Sequence, residues 1–312
     1  MKGKPRSRLR LILLLLVVGC LYLGVRTYDQ RIAFNPSATL TKTPQDIDLP
    51  FDTVVVTASD GVTVNGWFIP QRPRADSTST DPTLPTLLFF HDSDGNISDR
   101  LEKIRLFHDI GLTVFIIDYR GYGKSGGTPS EDGLTEDALA AFSYLVDQRD
   151  VKPGQLYIYG DGLGAAVAIA LATKTHAAGL ITEGATASVI DNVAQDWPLI
   201  PWRYLLRNKF DSLSQIGKVH IPVLLIHSDD DDVASFNDSR RLFALAHQPK
   251  ELVEIHGSHK DAFVNSFDTY YDAIARFVHA QPRFAADRSK DGADGTSSST
   301  PRDEPASKEP TP

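Results

Sequence analysis

The middle of the chain reads Leu156-Tyr-Ile-Tyr-Gly160-Asp-Gly162-Leu-Gly164-Ala-Ala-Val-Ala. A short apolar run passes through a cluster of small residues into a helical pattern. A strand that enters a helix through a tight turn with small flanking residues is the context of the Gly-x-Ser-x-Gly nucleophile elbow. The five corresponding residues are Gly160-Asp161-Gly162-Leu163-Gly164. The pattern therefore predicts the elbow backbone with Gly162 at the position of the nucleophilic serine.

Strand and helix patterns alternate on both sides of this segment. The strand-like runs are 54–56, 62–69, 87–91, 114–118, 156–159, 179–182, 223–227 and 252–255. The clearest helical patterns are 135–148, 164–173, 237–246 and 263–280. The first two runs are joined by Asp60-Gly61, which predicts an antiparallel hairpin. Continuous apolar strands alternating with helices predict an α/β fold with a mostly parallel sheet covered by helices on both faces.

The N-terminal segment 1–29 is typical of a targeting sequence. The first ten residues contain five cations and no acid: Lys2, Lys4, Arg6, Arg8 and Arg10. An apolar run from Leu9 to Val25 follows, interrupted only by Arg10. From Leu11 this run would form a helix of about 22 Å at 1.5 Å per residue. The positive flank predicts that the N-terminus stays in the cytoplasm and that the bulk of the chain is exported.

Two fates of this segment remain open. The residues Val17-Val18-Gly19-Cys20 are similar to a bacterial lipobox, which would be cleaved and lipidated at Cys20. The apolar run continues beyond that point to Val25, as it does in an uncleaved membrane anchor. Both alternatives tether the folded part to a membrane.

The remaining chain divides into a predicted globular domain, residues 30–282, and a tail, residues 283–312. The tail is rich in Ser, Thr, Pro and charge, and it has too few large apolar residues to offset the entropy of ordering. We therefore expect it to be disordered. The stretch 72–85 has a similar composition and is expected to be a surface loop.

Composition excludes several classes of function. The net charge is −8, which argues against a nucleic-acid partner because phosphate binding requires clustered Lys and Arg. The chain has one cysteine, so an internal disulfide and a cysteine-rich metal site are both excluded.

The chain resembles the single-pass, membrane-anchored α/β-hydrolase-domain proteins, which are often described as serine-aminopeptidase-like hydrolases. The matching segments are Ile32-Ala-Phe-Asn-Pro36, Asp60-Gly-Val-Thr-Val-Asn-Gly66-Trp67, Phe90-His91 with Gly95-Asn96-Ile97, Asp118-Tyr-Arg-Gly-Tyr-Gly-Lys-Ser-Gly-Gly127, Pro201 to Arg207, Phe210-Asp-Ser-Leu213, His227 with Asp231, and Gly257 with His259. The resemblance implies an α/β-hydrolase fold over residues 30–278 with a short lid at about 184–220. That lid contains Trp197, Pro198, Pro201 and Trp202, and its aromatic residues would line a small apolar site or pack the lid onto the core.

The resemblance also implies the positions of a catalytic triad and an oxyanion hole. Asp231 aligns with the acid and His259 with the general base, while Gly162 stands at the nucleophile position. In a working triad the acid orients the imidazole, which takes the serine proton. The backbone N–H groups of Leu163 and Ser93 align with the two oxyanion-hole donors.

The departures from the family pattern cluster at the same end of the sheet. Asp92 replaces a glycine of the oxyanion loop, Asp94 adds a second carboxylate, and Ser228 replaces a glycine after His227. A carboxylate beside an oxyanion hole opposes the electrostatics of acyl transfer. We expect Asp92, Asp94, Asp161 and Asp229 to Asp232 to gather near His259. Such a group of carboxylates would form a solvated acidic rim. The alternative is a calcium site, which the pattern Asp92-x-Asp94-Gly-Asn96 weakly indicates.

These observations favour a catalytically impaired or inactive member of the family that binds a small molecule or a partner at a membrane, without metal or cofactor. The alternative is an active hydrolase of small esters, thioesters or amides that uses a rearranged nucleophile, such as Asp161, or a metal-activated water. A third class is a structural envelope protein whose acidic face meets a cationic partner. A fluorophosphonate probe is predicted to leave the chain unlabelled and to label a Gly162→Ser variant.

Overall fold

A computed structural model describes residues 5–71, 84–196 and 199–279 of the 312-residue chain. Eight strands form one sheet: β1 Asp52–Thr57, β2 Thr63–Ile69, β3 Thr86–Phe90, β4 Thr113–Ile117, β5 Leu156–Asp161, β6 Gly179–Glu183, β7 Val223–Ser228 and β8 Lys250–Ile255. A separate short parallel pair joins residues 35–36 to residues 94–95.

The strand order across the sheet is β8-β7-β6-β5-β3-β4-β2-β1. β1 and β2 pair as an antiparallel hairpin, and β2 pairs antiparallel with β4. The other neighbouring strands are parallel. The predicted mostly parallel sheet with an N-terminal antiparallel hairpin is therefore confirmed.

Ten α-helices accompany the sheet in the described part of the chain. They are α1 Pro5–Ala33, α2 Leu101–Ile110, α3 Glu131–Ser143, α4 Leu163–Ala172, α5 Val189–Asp196, α6 Trp202–Leu205, α7 Ser212–Ile216, α8 Phe236–Leu245, α9 Ala262–Asn265 and α10 Phe267–His279. One buried cluster packs α3, α4 and α8 against one face of the sheet, and a second packs α2 and α10 against the other. The prediction of helices on both faces is confirmed.

Helix α4 lies unusually close to the sheet because its first residues are small. Every residue from Gly164 to Ala172 is buried. A Cβ on Gly164 would lie 2.6 Å from the carbonyl carbon of Phe90 at the end of β3. The glycine therefore lets the turn after β5 approach the loop after β3, which brings the two loops of the candidate site together.

Among the described residues, one helix is long and apolar enough to cross a membrane. The segment Ile12–Ala33 of α1 has a mean hydropathy of 1.7 and little of it is buried. It is compatible with a membrane anchor or a signal sequence. The predicted boundary between residues 29 and 30 falls inside this helix, which continues without a break to Ala33.

The last turns of α1 dock onto the predicted lid segment. The rings of Tyr28 and Trp202 lie 5.5 Å apart, and Arg26 donates to the carbonyl oxygen of Leu205 at 2.7 Å. Asp29 accepts from the backbone N–H of Asn208 at 3.2 Å. The start of the globular part is therefore held against the residues between β6 and β7.

The predicted lid at 184–220 contains the three short helices α5, α6 and α7. Trp202 is buried, in contact with α1 and with Val193 and Leu206. This agrees with the packing alternative for that aromatic residue. Trp197, Pro198, the tail 283–312 and most of the loop 72–85 lie outside the described residues.

Candidate functional site

The turn from β5 into α4 has the backbone of a nucleophile elbow. Gly162 adopts φ 55° and ψ −112°, and its N–H donates to the carbonyl oxygen of Glu183 at 3.0 Å. A non-glycine residue held at such a positive φ costs about 1–3 kcal/mol, which is tolerated mainly at functional sites. The chain therefore builds the strained turn that would present a catalytic side chain, and places a residue without a side chain there.

His259 and Asp231 come together at the ends of β8 and β7. Nδ1 of His259 donates to Oδ2 of Asp231 at 2.7 Å. The other carboxylate oxygen of Asp231 accepts from the N–H groups of Val233 and Ala234 at 2.8 and 2.7 Å. The imidazole thus has the fixed orientation of a triad base, with Nε2 directed toward the elbow.

Asp92, the second residue after β3, fills the space in front of Gly162. Its Oδ1 accepts from the N–H of Leu163 at 3.0 Å, and its Oδ2 lies 3.8 Å from Nε2 of His259. A Cβ on Gly162 would lie 2.6 Å from the Asp92 Cγ and closer still to Oδ1. The carboxylate of Asp92 therefore occupies the volume that a serine side chain at position 162 would need.

The two predicted oxyanion-hole residues both lie beside this carboxylate. The Leu163 N–H, which would bind a developing oxyanion, is already bonded to Asp92. Ser93 lines the same cavity as Gly162 and Leu163. The carboxylate of Asp92 therefore occupies the N–H group that the sequence predicts as an oxyanion donor.

The electrostatics of the site keep a proton on His259. Burial opposes the charge, but the hydrogen bond to Asp231 and the carboxylate of Asp92 raise the pKa of His259 to about 10. Burial also opposes the charge of Asp92, yet its contacts with His259 and with the N–H of Leu163 hold its pKa below the usual range. At neutral pH the imidazole is therefore a cation between two carboxylates, and it is an acid rather than a base.

Other acidic residues of the predicted rim also lie near His259. Asp232 accepts from the backbone N–H of His259 at 3.0 Å, and Asp92, Asp94 and Asp161 line one cavity together with His259. Asp94 accepts from Lys260 at 2.9 Å and from Asn35 at 2.7 Å, whereas Asp92 turns toward Leu163. The two carboxylates of the proposed calcium pattern therefore have separate partners. The gathering of these carboxylates near His259 agrees with the prediction, and the calcium alternative stays a prediction.

In the described part of the chain, Asp229, Asp230 and His256 are near enough to one another to share a metal ion. All three are exposed, and Nδ1 of His256 bonds to Asp229 at 2.6 Å. An exposed group that satisfies itself in this way gives no support to a metal-activated water at the elbow.

Ser228 links two loops at the edge of the site. Its hydroxyl donates to the carbonyl oxygen of Gly257 at 2.6 Å, and it accepts from the N–H of Asp230 at 3.2 Å. The substitution for the family's glycine therefore ties the loop after β7 to the loop that carries His259.

The sequence reasoning missed a buried charged cluster behind the elbow. Lys103 of α2 contacts Asp161 at 2.6 Å and Glu183 at 2.8 Å. Tyr270 donates to Glu183 at 2.6 Å, and Tyr159 donates to the same carboxylate oxygen. Burial opposes the charge of Lys103, but the two carboxylates raise its pKa. Asp161 is held here by Lys103, and its role as a rearranged nucleophile stays a prediction.

Two cavities meet at the pair formed by Asp92 and His259. The first has a volume of about 160 Å³ and a largely apolar wall; the wall includes Ile32, Leu163, Ala166, Val189, Val193 and Phe210. The second has about 500 Å³ and is polar, with Arg100, Lys103 and Lys260 in its lining. Because Ile32 belongs to α1 and Val189 and Val193 to α5, the N-terminal helix and the lid segment both shape the apolar cavity.

Comparison with known proteins agrees with this architecture. Residues 86–214 match the family described as serine aminopeptidase, S33. The chain is 34% identical over 264 residues to the uncharacterized protein Rv2307c of Mycobacterium tuberculosis, covering 84% of this chain and 92% of that relative. It is 30% identical over 278 residues to protein bem46 of Schizosaccharomyces pombe, covering 85% of this chain and 89% of that relative.

Among solved structures, the esterase Pf2001 of Pyrococcus furiosus superposes with a TM-score of 0.64 at 20% identity. The superposition covers 79% of this chain and 99% of that esterase. The superposition and the sequence matches agree on the fold. The chain belongs to the serine-aminopeptidase-like family of α/β-hydrolase-fold proteins.

Proposed function

We propose that this protein does not carry out serine-type acyl transfer and that it binds a small, mainly apolar molecule in the cavity beside Gly162. The observation that carries the proposal is the position of Asp92. Its carboxylate fills the nucleophile's place and accepts the Leu163 N–H that would serve as an oxyanion donor.

The known rate effects of removing a catalytic serine support the loss of serine catalysis. Removing the nucleophile of a serine hydrolase lowers turnover by about a millionfold. The residual catalysis of such variants, about a thousandfold over water, comes from the oxyanion hole and from binding. Here the hole holds a carboxylate and the imidazole holds a proton, so neither remaining element can act on an ester.

The cavity itself is suited to binding. Its volume of about 160 Å³ accommodates a short hydrocarbon chain, and Leu163, Val189 and Phe210 supply apolar wall. Oδ2 of Asp92, 3.8 Å from Nε2 of His259, is an acceptor in the lining of this cavity. Burial of apolar surface would supply most of the affinity, at about 25 cal/mol per Å², and the carboxylate would select a ligand that carries a hydroxyl or amine at one end.

We further propose that the protein acts at a membrane, with residues 1–29 as the anchor and the bulk of the chain on the exported side. The apolar helix and the basic residues before it support this orientation. The docking of Tyr28 on Trp202 supports a fixed position of the pocket next to the base of that helix.

Binding of 6-fluoro-1-hexanol to the full chain in detergent micelles tests the proposal, with ¹⁹F line broadening as the signal and protein-free micelles as the blank. Val233 is exposed and lines the cavity. We expect Val233→Trp to weaken binding by about tenfold, which corresponds to a loss of 1.4 kcal/mol.

Leu245→Trp is the matched control, since Leu245 is also exposed and is not part of that cavity's lining. It should bind the probe as the unmodified protein does. Equal broadening by all three proteins, or none by any of them, would contradict a binding function of this cavity.

One observation favours a second candidate, an active hydrolase with a rearranged nucleophile. Asp92 stands at the nucleophile's place and faces a His–Asp pair of catalytic geometry. With Asp161 engaged by Lys103, Asp92 is the carboxylate that such chemistry would use.

A further inference from the structure

The lid segment between β6 and β7 presents large apolar and aromatic side chains to the outside. Leu199 and Tyr204 are 97% and 78% exposed, and Ile200 is exposed as well. A single exposed apolar side chain needs no explanation, whereas a cluster of them marks a contact with a protein, a membrane or a ligand. These three side chains follow one another within a short stretch of chain, so this surface is expected to have a partner.

The charge of the same segment differs from that of the chain as a whole. Residues 199–210 contain three cations and no acid, in a protein whose net charge is −8. The three cations, Arg203, Arg207 and Lys209, are all exposed. A surface that combines cations with apolar and aromatic side chains matches a lipid bilayer, which has phosphates above an apolar layer.

Helix α1 indicates the depth at which the segment would lie. The apolar run of α1 ends at Val25, and Arg26 is the first charged residue after Arg10. A charged side chain is costly in the hydrocarbon of a bilayer, so Arg26 marks the level at which a membrane-spanning α1 would leave it. The guanidinium of Arg26 lies 5.6 Å from the centre of the Tyr22 ring, and tyrosine is enriched at this level of a membrane.

The lid segment is attached to α1 at that level. Arg26 donates to the carbonyl oxygen of Leu205 at 2.7 Å, and the rings of Tyr28 and Trp202 lie 5.5 Å apart. Tyr28 is about 3 Å further along the helix than Arg26. The polar layer on each side of the hydrocarbon is about 5–7 Å thick. Helix α6 would therefore lie within the layer of lipid headgroups.

We propose that residues 199–207 bind the lipid headgroup layer of the membrane in which α1 is anchored. The exposed apolar and aromatic side chains reach the boundary with the acyl chains, and Arg203 and Arg207 bind lipid phosphates. This inference rests on the proposed membrane anchor and adds a second contact with the same bilayer. The anchor attaches the protein to the membrane, and the lid contact fixes the orientation of the globular part.

The proposed contact lies on the outer side of one wall of the apolar cavity. Val193 of α5 lines the cavity and packs with Trp202 and Leu206 in one buried cluster. Ile32, near the end of α1, packs against the same cluster and also lines the cavity. Bound lipid would therefore touch the elements that shape the cavity, whereas a chain held by α1 alone would leave them in water.

The test uses the full chain in nanodiscs of phosphatidylcholine and phosphatidylglycerol. Cys20→Ser is the background, because Cys20 is the only cysteine of the chain. Leu199→Cys and Tyr204→Cys would each carry an NBD fluorophore, and a lipid with a nitroxide on its headgroup would act as the quencher. We expect both labels to lose most of their fluorescence when the nitroxide lipid is present.

Two further labels serve as controls. Leu245 is exposed and ends α8 shortly before β8 begins, which places it at the edge of the sheet opposite to the lid. The label of Leu245→Cys should keep its fluorescence. The label of Leu16→Cys reports on the anchor, since Leu16 is an exposed residue in the middle of the apolar run. A nitroxide on the lipid acyl chain should quench it.

Charge reversal tests the contact with lipid phosphates. Arg203→Glu combined with Arg207→Glu should reduce the quenching of the Leu199→Cys label, and more so with phosphatidylglycerol than in phosphatidylcholine alone, because an anionic surface attracts cations. Lys174→Glu combined with Lys218→Glu changes the net charge equally. Both lysines are exposed and precede β6 and β7, at the edge of the sheet opposite to the lid. This control should leave the quenching unchanged.

Three outcomes would overturn the proposal. The first is quenching of the Leu199→Cys and Tyr204→Cys labels no stronger than that of the Leu245→Cys label. The second is shielding of the Leu199→Cys label from iodide in the water without quenching by lipid, which would mean that protein covers the segment. The third is an equal effect of the two charge reversals. If the Leu16→Cys label is quenched in these cases, the anchor stands and the lid contact alone fails; if it is not, both fail.

Discussion

Gly162→Ser alone is expected to remain unlabelled by a fluorophosphonate probe, whereas Gly162→Ser combined with Asp92→Gly is expected to be labelled. A Cβ at position 162 would lie 2.6 Å from the Asp92 Cγ, so the introduced side chain and the Asp92 carboxylate compete for one space. Removal of Asp92 frees the Leu163 N–H. It also removes one of the two negative charges that keep His259 protonated. We expect the double variant to react about a thousandfold faster than the single variant, the effect of an oxyanion donor.

This expectation corrects the sequence-based prediction that Gly162→Ser is sufficient. Intact-mass measurement of the probe adduct over time gives the two rates. Gly162→Ser with Asp94→Gly is the matched control, because Asp94 is a nearby carboxylate bonded to Lys260 rather than to Leu163. Labelling of the single variant at the rate of the double variant would show that Asp92 does not block the site.

Lys103→Met is expected to lower the free energy of unfolding by about 3–5 kcal/mol, the cost of removing one partner from a buried ion pair. The lysine side chain is 8% exposed and contacts both Asp161 and Glu183. Without it, two carboxylates would be buried next to each other. The loss should be smaller at pH 5 than at pH 8, because uncompensated buried carboxylates have raised pKa values and become neutral as the pH falls.

Chemical denaturation of the full chain in detergent measures this difference. Lys260→Met is the control, because the Lys260–Asp94 pair is exposed at 72% and 46% and such pairs contribute about 0–1 kcal/mol. Equal losses for the two lysine variants would contradict the role assigned to Lys103.

Periodicity and turn chemistry were enough to predict most of the fold. Apolar runs of strand length, the Asp60-Gly61 turn and the small residues around Gly162 predicted the hairpin, the parallel strands and the elbow. The boundary at residue 29 between anchor and domain stays a prediction, and the helix that contains it continues to Ala33. Local patterns mark where an apolar run weakens, but the contacts of Tyr28 and Asp29 with the lid segment are tertiary and cannot be predicted from such patterns.

The sequence predicted which residues belong to the candidate site, but not which contacts their side chains make. The order of strand ends pointed to His259 and Asp231, and the structure brings them within 2.7 Å. The contacts of Asp92 depend on the conformation of its side chain, which the sequence does not specify. Asp92 bonds to the Leu163 N–H, whereas Asp94, two residues away, bonds to Lys260. Lys103 lies on an amphipathic helix where a lysine ordinarily faces solvent, and its burial follows from carboxylates at the ends of β5 and β6 that are distant in sequence.

The central claim is that the carboxylate of Asp92 stands in the nucleophile's place and faces the imidazole of His259. The measurement that tests it most directly is the pH titration of His259 by NMR. The full chain in detergent would carry ¹³Cε1-labelled histidine, and the His259 signal would be assigned among the nine histidines from its loss in His259→Gln.

We predict a titration midpoint near the raised pKa of about 10 in the unmodified protein. Asp92→Asn should move it down toward the ordinary value of 6.5, because a neutral amide no longer favours the charged imidazole. A midpoint near 6.5 in the unmodified protein, or the same midpoint in both proteins, would contradict the account.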